Sequence, residues 1–285
     1  MFNFLISKRF FTCFIFLILL TANSNFLSAH EGESHTKKGL HFSHPLISES
    51  PSPDTKIRLD YFFLDIEGEE DEEEEGGGFK EHTIRLEAEY AFSRNISLEV
   101  NVPYTFIDPD EGSGVDRFNN IEVGLKLVTY IFEQYGLLLG GGIEVGIPTG
   151  DDEKGIGSDH IVEIESFLSM GYKYQNFELV SFVSLGFPVN QDDGEDESDE
   201  FGYNVSLLYH LTNNIEALLE IDGEVALNGE EDGESVLNID PGIKILPFNN
   251  KDIHIGFGAG FPLTEDEAFE YRLIGSLIYH FKINK

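Results

Sequence analysis

The residues with chemistry to offer are mostly carboxylates, and they are spaced by two. Glu87 and Glu89 alternate with Leu86, Ala88 and Tyr90, while Glu216, Glu220, Asp222 and Glu224 alternate with Ile215, Ala217, Leu219, Ile221 and Val225. Corresponding positions elsewhere hold Asp60, Glu99, Glu122, Glu144, Glu163, Glu165, Glu178 and Asp240, opposed by Arg58, Arg85, Lys126, Lys244 and Arg272. Side chains two apart share one face of an extended strand, so these groups form one charged face. If that face is closed on itself, its excess of one sign favours cations or neutral polar solutes and rejects anions. The candidate solute path is then Asp60, Arg85, Glu87, Glu99, Lys126, Glu144, Glu165, Glu220, Glu224, Asp240 and Arg272. The competing account is that the same charges pair into a network that fills the interior.

Two other groups invite a metal. His30, His35, His41 and His44 lie in one polar N-terminal stretch, and His-rich tracts can hold Zn²⁺ or Cu²⁺. Nothing in the sequence fixes their geometry. Carboxylates also crowd at Glu72–Glu75, at Asp192 and Asp193 with Glu195, Asp196 and Glu197, and at Glu230–Asp232. Such clusters suit hard divalent cations and could bridge to lipopolysaccharide. None has EF-hand spacing, and a solvated, self-repelling surface accounts for them. No other cofactor is expected. His210, His254 and His280 have no evident serine partner, so the Ser-His-acid set of a hydrolase is not in view and no enzyme is expected.

The leader must be set aside before the elements that position these residues are read. Lys8 and Arg9 precede an apolar run from Phe10 to Leu20, and Leu27-Ser28-Ala29 offers a cleavage site, the pattern of a secretory signal peptide over residues 1–29. The run is shorter than the roughly 20 residues a membrane helix needs. The chain carries 53 acids against 18 bases, a net charge of −35. Such a field repels nucleic acid. Its single cysteine, Cys13, departs with the leader, so no disulfide framework is expected. Residues 30–55 contain the histidines and the run Ser48-Glu49-Ser50-Pro51-Ser52-Pro53-Asp54. They read as a flexible, PPII-like arm on the periplasmic side. Whether the arm enters the barrel as a plug is left open.

From Lys56 the period is two almost without interruption, and about twelve strands are expected: 56–66, 79–92, 95–106, 118–132, 136–147, 160–173, 176–188, 201–212, 214–227, 236–247, 252–262 and 268–283. Their connections alternate between long acidic ones, such as Glu67–Gly78, and short turns, such as Ser93-Arg94, Gln175, Asn213 and Phe248–Lys251. One end of the sheet is all tight turns and the other all long loops, as in outer-membrane barrels. Pro103, Pro148, Pro188 and Pro262 precede four of the acidic loops, and proline suits a strand end because it cannot donate to the ladder. A ring of twelve strands at about 4.8 Å spacing has a backbone radius of roughly 12 Å, too wide for inward apolar side chains to fill. The apolar face should therefore point out to lipid. The reading is an all-β, transmembrane antiparallel up-and-down barrel over residues 56–285.

The segments Gly146-Ile147-Pro148-Thr149-Gly150-Asp151 and Gly186-Phe187-Pro188-Val189, with the closing Tyr271–Phe281 strand, resemble the outer-membrane transporters of the MetA-pathway of phenol degradation family. The resemblance covers roughly residues 56–283 and implies passive passage of a small substrate, with no known binding residues. The expected function is an outer-membrane channel or transporter for a small neutral or cationic, conceivably hydrophobic, solute. The alternative is a non-transporting surface barrel, an adhesin or envelope-structure protein. The expected partners are outer-membrane lipid and lipopolysaccharide, the barrel-assembly machinery and the solute. The expected location is the outer membrane of a Gram-negative-type bacterium, with acidic loops outside and both mature termini periplasmic.

Overall fold

The computed structural model describes residues 40–66, 70–71, 74–75, 77–110, 112–191, 198–229, 232–247, 252–264 and 269–281. The leader, His30, His35 and the most acidic stretches of three long loops lie outside these residues.

Twelve strands close into one antiparallel ring: β1 (Lys56–Ile66), β2 (Phe79–Ser93), β3 (Ile96–Pro109), β4 (Ile121–Phe132), β5 (Leu137–Ile147), β6 (Val162–Tyr174), β7 (Phe177–Val189), β8 (Glu200–Thr212), β9 (Ile215–Ala226), β10 (Ser235–Ile245), β11 (Ile253–Pro262) and β12 (Tyr271–His280). Each pairs with its sequence neighbour, and β1 pairs with β12 from Lys56↔His280 to Asp65↔Tyr271, which closes the barrel. Among the described residues, the ring of twelve strands itself has no open edge, as a membrane-spanning sheet requires.

Burial alternates with sequence but with inverted polarity. In β1, Lys56, Arg58 and Asp60 are at most 1% exposed while Ile57, Leu59 and Tyr61 are 41–44% exposed. β9 repeats this, with Glu216 and Glu220 buried and Leu219 and Ile221 exposed. A soluble sheet would hide the second set and wet the first. Apolar outside and charged inside is stable only against lipid. Exposed aromatics collect near both ends of the strands: Tyr90, Phe92, Tyr174, Phe177 and Phe281 at the short-turn end, and Tyr61, Phe106, Phe118 and Phe261 at the loop end. We predict that Leu219→Arg, mid-strand on the outer face, lowers unfolding stability in vesicles by about 2–4 kcal/mol.

One expectation is corrected. Pro103 does not end its strand: β3 runs on to Pro109, with Pro103 opposite Arg85. The carbonyl of Pro103 accepts from the Asn119 N–H (3.0 Å), so its donor-less nitrogen faces the same side, the break between the ladder with β4 (Asn101↔Glu122) and a short ribbon, Val115–Phe118, that pairs with Tyr104–Ile107. No ladder donor is lost there. The ribbon also shows that part of the Asp108–Arg117 connection extends the sheet wall.

The place of the arm, left open by the sequence, is seen in the structure. Residues 40–55 are not outside the barrel; most of them are buried within it. Phe42 and Leu46, both fully buried, pack with inward-facing Val128, Leu138, Val180, Leu208, Leu218 and Ile274. The interior is therefore partly apolar, around an inserted segment.

Candidate functional site

The arm is held by carboxylates on the inner wall. Glu220 Oε1 accepts the backbone N–H groups of Leu46 (2.5 Å) and Ile47 (3.1 Å), and its Oε2 accepts those of Ser48 (3.3 Å) and the Ser206 hydroxyl (2.9 Å). Glu178 accepts the Ser43 N–H at 2.7 Å and Glu89 accepts the Asp54 N–H at 3.0 Å. The Arg58 guanidinium donates to the Leu46 carbonyl at 2.5 Å. An arm without secondary structure can be buried only if its backbone groups meet partners like these. Glycines make the room: a Cβ on Gly171 would sit 2.6 Å from the Phe42 ring, and one on Gly256 2.4 Å from a Leu46 methyl.

Around the arm the wall charges pair. Lys56 bonds Glu87 and lies 2.9 Å from Glu89. Lys126 reaches Glu49 of the arm (2.7 Å) and Glu89 and Glu99 (both 3.5 Å). Asp60 takes Arg58 (2.8 Å) and Arg85 (2.9 Å). Arg272 grips Asp240 through two nitrogens, both at 2.7 Å, and also meets Asp222. Lys244 lies 3.2 Å from Glu216, and His210 sits between Glu178 (2.7 Å) and Glu216 (3.1 Å).

Burial raises the Glu49 carboxyl, but the Lys126 ammonium outweighs it and holds the group well below the ordinary carboxylate range. A carboxylate depressed in this way contributes binding that is complete above its free value, about 4.5, and lost as pH falls below it. The arm should therefore dock fully at neutral pH and loosen on acidification. A fluorophore placed at Ser52 should report release below about pH 4.5, and Glu49→Gln should flatten that profile.

Of the expected path residues, Asp60, Arg85, Glu87, Glu99, Lys126, Asp240 and Arg272 lie inward in this paired network, and Glu220 anchors the arm. Glu144 and Glu165 differ. With Glu122, Glu163 and Gly146 they line a cavity of about 90 Å³ nearer the loop end. Glu224 shares the inward side of β9 but is exposed near the loop end. Glu49 and Asp54 belong to the site although alternation gave no reason to select them, and Lys56, which shares the inner face of β1 with Arg58 and Asp60, joins them. Of the metal candidates, His41 and His44 lie together at the short-turn end, and His30 and His35 are outside the described residues. Of the acidic-loop cation candidates, most also lie outside them.

Solved structures share this architecture. An outer-membrane channel from Pseudomonas putida F1 matches with TM-score 0.64 and 10% identity, over 80% of this chain and 96% of that one. The NanC porin matches with TM-score 0.54 and 6% identity, over 80% and 100%. The KdgM porin, solved in complex with disordered oligogalacturonate, matches with TM-score 0.51 and 11% identity, over 79% and 99%. No protein-family model matches the chain, so none supports the MetA-pathway type, and no curated protein matches it significantly in sequence. At these identities the likeness is one of fold: the chain is a twelve-stranded transmembrane β-barrel of the kind outer-membrane channels use.

Proposed function

We propose that this protein is a passive outer-membrane channel for a small neutral or cationic solute, of the type the MetA-pathway resemblance implies, and that residues 40–55 are its plug. The acidic loops then face the exterior and both mature termini the periplasm, with barrel lipid and lipopolysaccharide as surroundings. The observation that carries the reading is the cavity formed by Glu122, Glu144, Glu163 and Glu165 inside a closed barrel. In register, Glu144 stands directly opposite Glu165 on the adjacent strand. Like charges opposite one another destabilise a sheet, whereas at Lys126 and Arg272 the wall sets bases directly against its acids. Carboxylates gathered in a water-accessible interior instead attract cations and exclude anions.

The test is a reversal potential in planar bilayers under a KCl gradient, with the refolded mature chain. Cation-selective steps are expected, infrequent while the arm is docked. Anion selectivity would overturn the assigned solute class, and silence even after the arm is removed would favour the adhesin or envelope-structure alternative.

A further inference from the structure

At the short-turn end, three imidazoles converge on one carboxylate oxygen. His41 Nε2 lies 2.8 Å from Asp54 Oδ2, His44 Nε2 3.1 Å and His280 Nδ1 3.0 Å. The rings crowd one another, with centroids 5.3 Å apart for His44 and His280 and 6.2 Å for His41 with each of them. His254 adds a fourth ring 5.1 Å from His280. His41, His44 and Asp54 come from the arm, and His280 is the last residue of β12.

Hydrogen bonding does not explain this convergence well. A carboxylate oxygen offers about two lone-pair directions, and here three ring nitrogens approach the same one. The other Asp54 oxygen is engaged separately, accepting the Thr55 N–H at 3.0 Å. The donor atoms of His41, His44 and Asp54 all lie within 4.8 Å of one another, and the His280 nitrogen reaches the same Asp54 oxygen; with metal–ligand distances of about 2.0–2.1 Å, tetrahedral ligand atoms are roughly 3.3 Å apart. Drawing the His280 ring and the arm histidines together around an ion would complete a four-coordinate set. Among the described residues, His44 Nδ1 and His280 Nε2 are buried without hydrogen bonds. His41 is half exposed at the mouth, which gives an ion a way in.

We infer that His41, His44, Asp54 and His280 form a site for a divalent transition metal of the zinc class, and that the ion fastens the plug to the barrel wall. Imidazole with one carboxylate selects such ions over Ca²⁺ or Mg²⁺, which take oxygen ligands. Because three ligands ride on the arm and one on β12, binding and docking are linked: metal binds the docked arm and stabilises it in proportion to its concentration.

The test uses the refolded full mature chain with Zn²⁺ by calorimetry and with Co²⁺ by visible absorption. One equivalent and the intense bands of four-coordinate cobalt are expected. His44→Gln, which alters the arm and leaves every barrel strand intact, should weaken Zn²⁺ binding by more than about tenfold and abolish the bands. His280→Ala should do the same. A His30→Ala/His35→Ala chain should bind as the parent does. Another described cluster, Asp152, Asp159 and His160 in the loop after β5, is checked with His160→Ala, which should also bind normally. The inference is overturned by an absence of cobalt bands in the parent chain, by bands that survive in His44→Gln, or by bands lost in either control.

Discussion

Removing residues 30–53 should turn a mostly silent barrel into one with large, long-lived openings, raising mean conductance several-fold or more. The arm occupies the part of the lumen where Phe42 and Leu46 meet the inner wall, and among the described residues nothing else fills it there. Six inward positions, Val128, Leu138, Val180, Leu208, Leu218 and Ile274, would be left facing water. The shell itself should persist, since its twelve ladders and outer apolar face do not involve the arm. Docking is a small difference between large quantities: ordering each arm residue costs about 1–2 kcal/mol of backbone entropy, offset by apolar burial and by near-complete satisfaction of the arm's polar groups. Loss of a single multi-point anchor should therefore tip the balance. Glu220→Ala strands the N–H groups of Leu46, Ile47 and Ser48, each costing about 1–3 kcal/mol if left buried, and should reproduce much of the truncation phenotype. Heat-modified mobility on gels would verify that both chains remain folded. Unchanged conductance in the truncated chain would mean that the arm is not the obstruction.

The second large effect concerns selectivity. Glu144→Lys with Glu165→Lys, made in the truncated chain, should change a cation-selective pore into an anion-selective one, read as a sign change of the reversal potential. The neutral pair Glu144→Gln/Glu165→Gln should abolish most of the selectivity without reversing it. The substitutions act on the lining and not on assembly: Glu144 and Glu165 face each other across β5 and β6, so the neutral pair relieves a repulsion and should leave the barrel at least as stable. A similar exchange at Asp240 would be a poor comparison, because it removes the two-point partner of the Arg272 guanidinium and leaves that buried charge with Asp222 alone.

The wall of this barrel was legible because inner-face positions recur at every second residue and most of its charges fall on them. β1 falls on residues 56–66 as alternation indicates, and β9 differs by a residue at each end. What alternation reports is which side of the sheet a residue occupies; it carries no information about what lies inside the ring. The arm's burial was accordingly invisible, and so were the roles of Glu49 and Asp54, which sit in a segment with no period. Leu218 is instructive: it lies between Ala217 and Leu219, so it reads as part of an apolar run, whereas it faces inward onto the arm. One signal was available. Small residues at inward positions, Gly171, Gly242, Gly256 and Gly258, mark where Phe42 and Leu46 approach the wall more closely than any Cβ would allow. Glycine repeated on the inner face of a wide barrel points to a packed insert. The His280 contribution was missed for a related reason: its partners are more than 200 positions away, and only barrel closure through β1 and β12 brings them together.

The claim beneath all of this is that lipid meets the apolar face and the charges are enclosed. With the single cysteine, Cys13, replaced by serine, spin labels can be placed singly at each position from 216 to 221 and read by collision with dissolved oxygen and with a water-soluble nickel chelate. High oxygen and low nickel accessibility is expected at Ala217, Leu219 and Ile221, with oxygen accessibility low at Glu216, Leu218 and Glu220, a clean period of two. A flat profile, or the opposite phase in a chain that stays monomeric without detergent, would contradict it.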